Sequence, residues 1–205
     1  MLIYDYPNLW LFLENKGKEL YGPEFHFYEE DAPLIAKLLI WCSRDRFQAD
    51  LNTISLHKGI LLTGPVGCGK TALMSLIRHI LHARYRHRIC SCRQLAFRFS
   101  EEGFLVINHY SRYSFFSATD IPVTFCFDDL GLESDMRYYG DTCNTMAEIL
   151  LSRYEYFITH HMITHLTTNL NSSEIEARYG KRIRSRMKEM FNLISFSKEA
   201  EDKRK

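Results

Sequence analysis

Residues 59–71 read Gly-Ile-Leu-Leu-Thr-Gly-Pro-Val-Gly-Cys-Gly-Lys-Thr, an apolar run that closes on the pattern G-x-x-x-x-G-K-[ST]. The pattern's fixed positions fall on Gly64, Gly69, Lys70 and Thr71. Glycines let a backbone wrap until successive N–H groups converge on phosphate oxygens, and the following helix adds its dipole. The cradle then comprises Gly64, Pro65, Val66, Gly67, Cys68, Gly69, Lys70 and Thr71. Lys70 is placed to reach the β- and γ-phosphates, and the Thr71 hydroxyl to complete a Mg²⁺ shell. The flanks agree: Ile60, Leu61 and Leu62 form a buried-strand pattern, and apolar residues after Thr71 recur at helical spacing. A Gly-rich turn with a chance lysine would carry neither flank. The stretch predicts a nucleoside triphosphate site.

Outward from the loop, the chain alternates strand and helix patterns. A helix is expected near 70–86, a strand near 89–92, a helix near 93–102, and an aromatic stretch to Asp120. Val123-Thr-Phe-Cys-Phe127 is a clear strand; a helix near 144–157, a strand near 162–167, a helix near 172–179 and a last strand near 192–196 follow. Such alternation implies a parallel sheet with helices on both faces. Upstream, residues 1–30 are aromatic-rich, with a helix near 8–18 and a break at Gly22-Pro23. Asp31 then reads as the cap of a helix with Pro33 in its first turn.

A nucleotide site needs a carboxylate at the carboxyl end of a second strand. Phe125-Cys-Phe-Asp128-Asp129 supplies two. Asp128, directly after the apolar run, is placed toward Mg²⁺, and Asp129 to orient and deprotonate an attacking water. Adjacent carboxylates repel unless a cation offsets them, which argues against a simple turn cap. Asn169 ends a third strand in Thr-Thr-Asn; spacing alone suits a phosphate or water contact and a helix cap equally. Arg182 and Arg186, four residues apart, share a helix face. By spacing they suit a solvated basic face, or an ion pair to Glu189, better than a guanidinium offered to a neighbour's γ-phosphate.

Composition bounds the rest. With 46% apolar and 25% charged residues, the 205-residue chain is an ordinary globular protein with a sizeable core, and its net charge of +1 selects no partner. The charge is uneven: residues 72–100 hold six arginines and no acid. Within that block Arg84, Arg86 and Arg88, with Tyr85 between, suit a strand's phosphates and a stacked base, or else a solvated helix end with Tyr85 packed inward. No apolar run has the ~18 residues of a membrane span, and residues 1–6 lack signal-peptide features. Cys68 in the loop and Cys126 in a strand do not suit disulfides, so reduced thiols and a cytoplasmic location are expected. His160, His161 and His165 read as strand-edge and turn residues, not metal ligands.

Gly64-Pro-Val-Gly-Cys-Gly-Lys-Thr71, Asp128-Asp-Leu-Gly-Leu-Glu133, Thr167-Thr-Asn-Leu170 and Tyr179-Gly-Lys-Arg-Ile-Arg-Ser-Arg186 occur in that order. Together they resemble the AAA+ ATPases of the DnaC/IstB type, bacterial helicase loaders and transposition helpers, over residues 55–197. The resemblance implies a P-loop, three-layer α/β/α fold of the ASCE class. Its five-stranded parallel sheet would run 5-1-4-3-2, followed by a truncated lid. It implies ATP and Mg²⁺, hydrolysis, and a homo-oligomer with ATP at subunit interfaces. A replicative helicase or transposase and single-stranded DNA would be the partners. By position, Asp128 matches the Mg²⁺-side acid and Asp129 the catalytic acid, one methylene shorter than the usual Glu. Asn169 matches the polar sensor, Arg186 the finger arginine and Arg182 its companion. Residues 1–54 then form a helical, aromatic-rich, partner-binding segment, and 198–205 a charged tail.

Other readings fit less well. Small-molecule kinases usually begin with the phosphate loop, and no Asn-Lys-x-Asp guanine-reading motif follows it here. A nucleotide-dependent assembly module without turnover is the remaining alternative.

Overall fold

Successive residues of a strand face opposite sides of its sheet, and the apolar residues of this chain divide on that rule. The computed structural model describes residues 5–203; residues 1–4 and 204–205, at the ends of the expected N-terminal segment and tail, lie outside the described residues. The strands are β1 (Gly59–Thr63), β2 (Arg88–Ser91), β3 (Phe125–Leu130), β4 (Met136–Tyr138), β5 (Asp141–Cys143), β6 (Thr164–Thr168) and β7 (Phe191–Ser195). The helices are α1 (Tyr6–Tyr21), α2 (Ala32–Ser43), α3 (Arg46–Leu51), α4 (Lys70–Ile77), α5 (Cys92–Glu102), α6 (Phe104–Tyr110), α7 (Thr145–His160) and α8 (Ser172–Met190). Five strands pair in parallel as β2-β3-β6-β1-β7. Numbered among themselves, they run 5-1-4-3-2.

Ile60 and Leu62 of β1 and Cys126 of β3 enter one core with Leu13 of α1, Trp41 of α2 and Met74 of α4. Leu61, Phe125 and Phe127 point the other way, into a core with Phe99 of α5, Ile149 of α7 and Ile183 of α8. Three layers, α/β/α, result. The helices before β1 therefore share a core with the strand that leads into the phosphate loop.

Four local expectations change. The helix near 70–86 stops at Ile77. His79 N–H donates to Leu76 O and Ile80 N–H to Ile77 O, and the buried His87 ring donates to Met74 O at 2.9 Å, drawing the chain back toward the sheet. The helix near 172–179 continues to Met190 across a break at Gly180 (φ 85, ψ 161). Asp31 precedes α2 without capping it, because its carboxylate pairs with Lys203. A hairpin, β4–β5, lies in a stretch where no strand was expected. Its two turn residues, Tyr139 and Gly140, both take positive φ, as a tight two-residue hairpin requires.

His165 also departs from expectation. It lies inside β6, fully buried, with Nδ1 accepting from the Ile60 N–H at 3.1 Å and its ring edge-on to Trp41. Among the described residues no helix is long and apolar enough to cross a membrane. All six cysteines are free.

Gly59 has a packing reason. An added Cβ would lie 1.6 Å from the Thr164 carbonyl oxygen on the neighbouring strand. Gly59→Ala should destabilise the fold by about 3 kcal/mol through overpacking, measured by urea unfolding; an unchanged midpoint would refute this contact.

Burial lowers the pKa of His87 from 6.5 to about 4, and burial first, then His87, pulls His165 well below the usual range. Both rings stay neutral in the folded state while the unfolded chain protonates below pH 6.5. Their contribution is therefore complete above that pH and is lost as pH falls toward about 4. For His87 alone the loss is about 3 kcal/mol. Urea midpoints followed from neutral pH to about 4 should fall, and His87→Gln should flatten the slope.

Candidate functional site

In parallel α/β sheets the crevice for ligands opens at the carboxyl ends of the strands. Here the loop after β1, the end of β3 and the end of β6 meet at that edge. Lys70 reaches back across its own loop, donating to Gly64 O at 2.9 Å and Pro65 O at 2.6 Å. Cys68 is buried beneath it, and burial raises its thiol pKa against the opposing effect of Lys70. The Thr71 hydroxyl lies 3.0 Å from both carboxylate oxygens of Asp128.

The end of β3 is not a regular strand. Its pairing with β6 shifts register between Phe127 and Leu130, and Asp129 takes a left-handed φ of 59°. Alternation would send two adjacent side chains to opposite faces; the irregularity lets Asp128 reach Thr71 while Asp129 opens on the cavity beside it. Thr167 of β6 holds this geometry. Its hydroxyl donates to Asp128 Oδ1 at 2.6 Å and accepts from the Asp129 N–H at 2.8 Å. Thr168 repeats the device one residue on, donating to Leu130 O at 2.6 Å.

Cys68, Lys70, Thr71 and Asp129 border a cavity of about 730 Å³ that also takes in Val66, Gly67, Gly69 and Asn169. Asn169 is not the cap of α8. That place belongs to Asn171, whose Oδ1 accepts from Ser173 and Glu174 N–H groups while the Glu174 carboxylate accepts from the Asn171 N–H. The opposite wall comes from the segment after α1, including Phe25, Phe27 and Tyr28. The tail after β7 closes one side. Lys203 N–H donates to Gly67 O at 3.1 Å, its ammonium pairs with Asp31 and lies 4.4 Å from the Tyr28 ring centre. The Asp202 carboxylate rests on Gly67, where an added Cβ would lie 2.1 Å from it.

Comparison with solved structures bears on the fold. The chain is similar to the DnaC helicase loader (17% identity, TM-score 0.59, covering 93% of this chain and 99% of that one). It is also similar to DnaI (16%, 0.56, 86% and 90%). The replication initiator DnaA, solved with AMPPCP and single-stranded DNA, matches at 19% and 0.52 over 85% of this chain and 49% of that one. The fold is that of the DnaC-type AAA+ ATPases. No family model and no curated protein sequence matches the chain.

Within this AAA+ fold Arg182 and Arg186 do not join the cavity of their own chain. They follow the Gly180 break; Arg182 is exposed, and the Arg186 guanidinium lies 4.6 Å from the centre of the Tyr154 ring. Glu189, the expected ion-pair partner, instead accepts from the Tyr154 hydroxyl at 2.9 Å.

Two residues went unread as parts of this site. Thr167 was visible only as a hydroxyl in Thr-Thr-Asn. Glu133, 2% exposed, accepts from the Gly131 N–H at 2.8 Å and from the Tyr179 hydroxyl, and pairs with Arg178 at 3.6 Å. It ties the loop after Asp129 to the helix break that precedes the arginines. Its place in Asp-Asp-Leu-Gly-x-Glu was the available signal.

Thr167→Val keeps the shape but leaves Asp128 Oδ1 and the Asp129 N–H without their hydroxyl partner. A loss of about 1–3 kcal/mol in urea unfolding is expected, the cost of unsatisfied buried polar groups; no change would refute the hub role.

Proposed function

We propose that this chain is an ATP-hydrolysing AAA+ protein that acts in DNA replication as a helicase loader of the DnaC type. One observation carries the reading. A phosphate-loop lysine and threonine, the Asp129 carboxylate of β3 and Asn169 just after β6 border one cavity at the carboxyl edge of the sheet, with the Asp128 carboxylate on the Thr71 hydroxyl. A triphosphate would lie in the 64–71 loop, with Lys70 facing its β/γ oxygens. The Thr71 hydroxyl and Asp128 carboxylate fit Mg²⁺, a hard cation commonly held by one or two protein oxygens together with substrate phosphates. That ion would supply positive charge to the phosphate oxygens.

The chain's own residues divide the remaining work. Asp129, on the cavity and held by its backbone N–H to Thr167, orients the attacking water and accepts its proton. Asn169 hydrogen-bonds that water or the terminal phosphate. Arg186, with Arg182, serves the site of a neighbouring subunit in a homo-oligomer, where a guanidinium neutralises charge developing on the transferred phosphoryl group.

The likeness to the DnaC helicase loader supports loading. The DnaA solved with single-stranded DNA supports that partner. In this reading residues 55–197 are the ATPase core, and residues 1–54 face the helicase with α1, which leaves Leu11 and Phe12 exposed. Residues 198–205 are the tail, and the protein works in the cytoplasm.

Calorimetry with ATP and magnesium, paired with turnover measured with and without single-stranded DNA, tests the reading. Lys70→Ala should abolish tight ATP binding. Asp129→Asn should bind ATP and lose turnover by about 10²–10⁴-fold. Arg186→Ala should bind as a monomer yet lose roughly 10³-fold in activity. Mixing the last two should restore part of it at shared interfaces. No heat from folded wild-type protein would end the proposal, and failed complementation would end the role of Arg186 in trans.

A further inference from the structure

The residues just before four strands of the sheet gather at its amino edge, the end opposite the nucleotide cavity. Leu56 precedes β1, Arg84 and Tyr85 precede β2, Thr124 precedes β3 and Ile163 precedes β6. With the α2–α3 connection and the end of α7 they line an open groove of about 950 Å³. Its charge is one-sided. Three arginines, Arg44, Arg46 and Arg84, line it against the single carboxylate of Asp50. Ile54, Ile121, Pro122 and Ile163 provide apolar surface between them.

Arg44 is the fixed point of this groove. Its guanidinium carbon lies 4.3 Å from the centre of the Tyr85 ring and 5.0 Å from that of Trp41, and Nη2 donates to Leu56 O. The guanidinium is half-buried, and burial lowers its pKa against the opposing effect of Tyr85. Two of the groove's residues end helices: Arg44 closes α2 and His161 closes α7, each in a left-handed conformation with φ of 58° and 53°.

We propose that this groove binds the backbone of single-stranded nucleic acid, with phosphates on Arg46, Arg44 and Arg84 and bases against the Ile121–Pro122 surface. The planar guanidinium fork matches phosphate oxygens, and Ile121, 42% exposed, offers base faces an apolar surface to cover. A free anion would occupy only one or two of these cations. A ligand carrying one charge per unit along its length uses all of them, and the exposed Arg86 and Arg88 extend the track along the same edge. The inference rests on the nucleic-acid partner in the reading above and not on its nucleotide site. That site opens across the sheet, about 17 Å away for five strand residues.

Fluorescence anisotropy of labelled oligo-dT across a NaCl series, on the whole chain, tests it. The double variant Arg46→Glu/Arg84→Glu changes two exposed side chains. It should weaken binding at least tenfold and reduce the salt slope by about 1.4, at ~0.7 per phosphate contact on a single strand. ATP–Mg²⁺ calorimetry should be unchanged. Arg137→Glu, exposed on the β4–β5 hairpin, should have little effect on DNA binding. The proposal is overturned if wild-type protein does not bind oligo-dT, if the double variant binds it equally well, or if Arg137→Glu weakens it as much. Poly-glutamate bound as tightly and with the same sensitivity would reassign the groove to an acidic protein segment, overturning it too. Failure of ATP binding with the DNA effects intact would sink the nucleotide reading and leave this one standing.

Discussion

The carboxylate of Asp128 between the hydroxyls of Thr71 and Thr167 is the contact on which the site depends. It joins the helix after the phosphate loop, the end of β3 and the end of β6, so three separately coded segments become one surface. A carboxylate that is 9% exposed carries a desolvation cost, and these hydroxyls offset it. The same Thr167 hydroxyl accepts the Asp129 N–H, so the irregular end of β3 is held by the group that orients its neighbour. Backbone strain at Asp129 is therefore supported from β6 and not left to the turn itself.

Around that junction the two faces of the sheet have different tasks. The core under α1, α2 and α4 contains the helices before β1, which bring Phe25, Phe27 and Tyr28 to the cavity wall. The Asp31–Lys203 pair then fastens the tail to that wall. The other core, under α5 to α8, contains Arg153, fully buried without a carboxylate. Its guanidinium donates to Thr164 Oγ1 at 2.7 Å and to the carbonyls of Tyr110, Val123 and Ile163, and lies over the rings of Phe125 and Phe127. Burial pulls its pKa down to about 9. These bonds gather the segments leading into β3 and β6 behind the strands that end in Asp128 and Thr167.

The phosphate loop, the Asp-Asp strand end and the parallel sheet were legible because each depends on local pattern: glycine spacing, an apolar run ending in acid, regular alternation; the sheet order came only from the resemblance. Helix ends were less so. α4 stops at Ile77 because a distant histidine draws the chain back, and Asp31 gives up its cap position for an ammonium 172 residues away. The choice for Asn169 between cap and cavity turned on Asn171 two residues later. Its capping box with Glu174 was present in the letters, and it leaves Asn169 at the strand end.

By itself, the order of residues determined that the chain builds a parallel sheet with a phosphate loop after its first strand, since glycine conformations and strand periodicity act over a few residues. That Thr167 holds both Asp128 and the Asp129 N–H, that Glu133 anchors Tyr179, and that Arg44 finds a seat between Trp41 and Tyr85 were decided only by folding. Those contacts join residues far apart in the chain, and their geometry comes from the stacking of the layers on one another, which a pattern acting over a few residues does not encode.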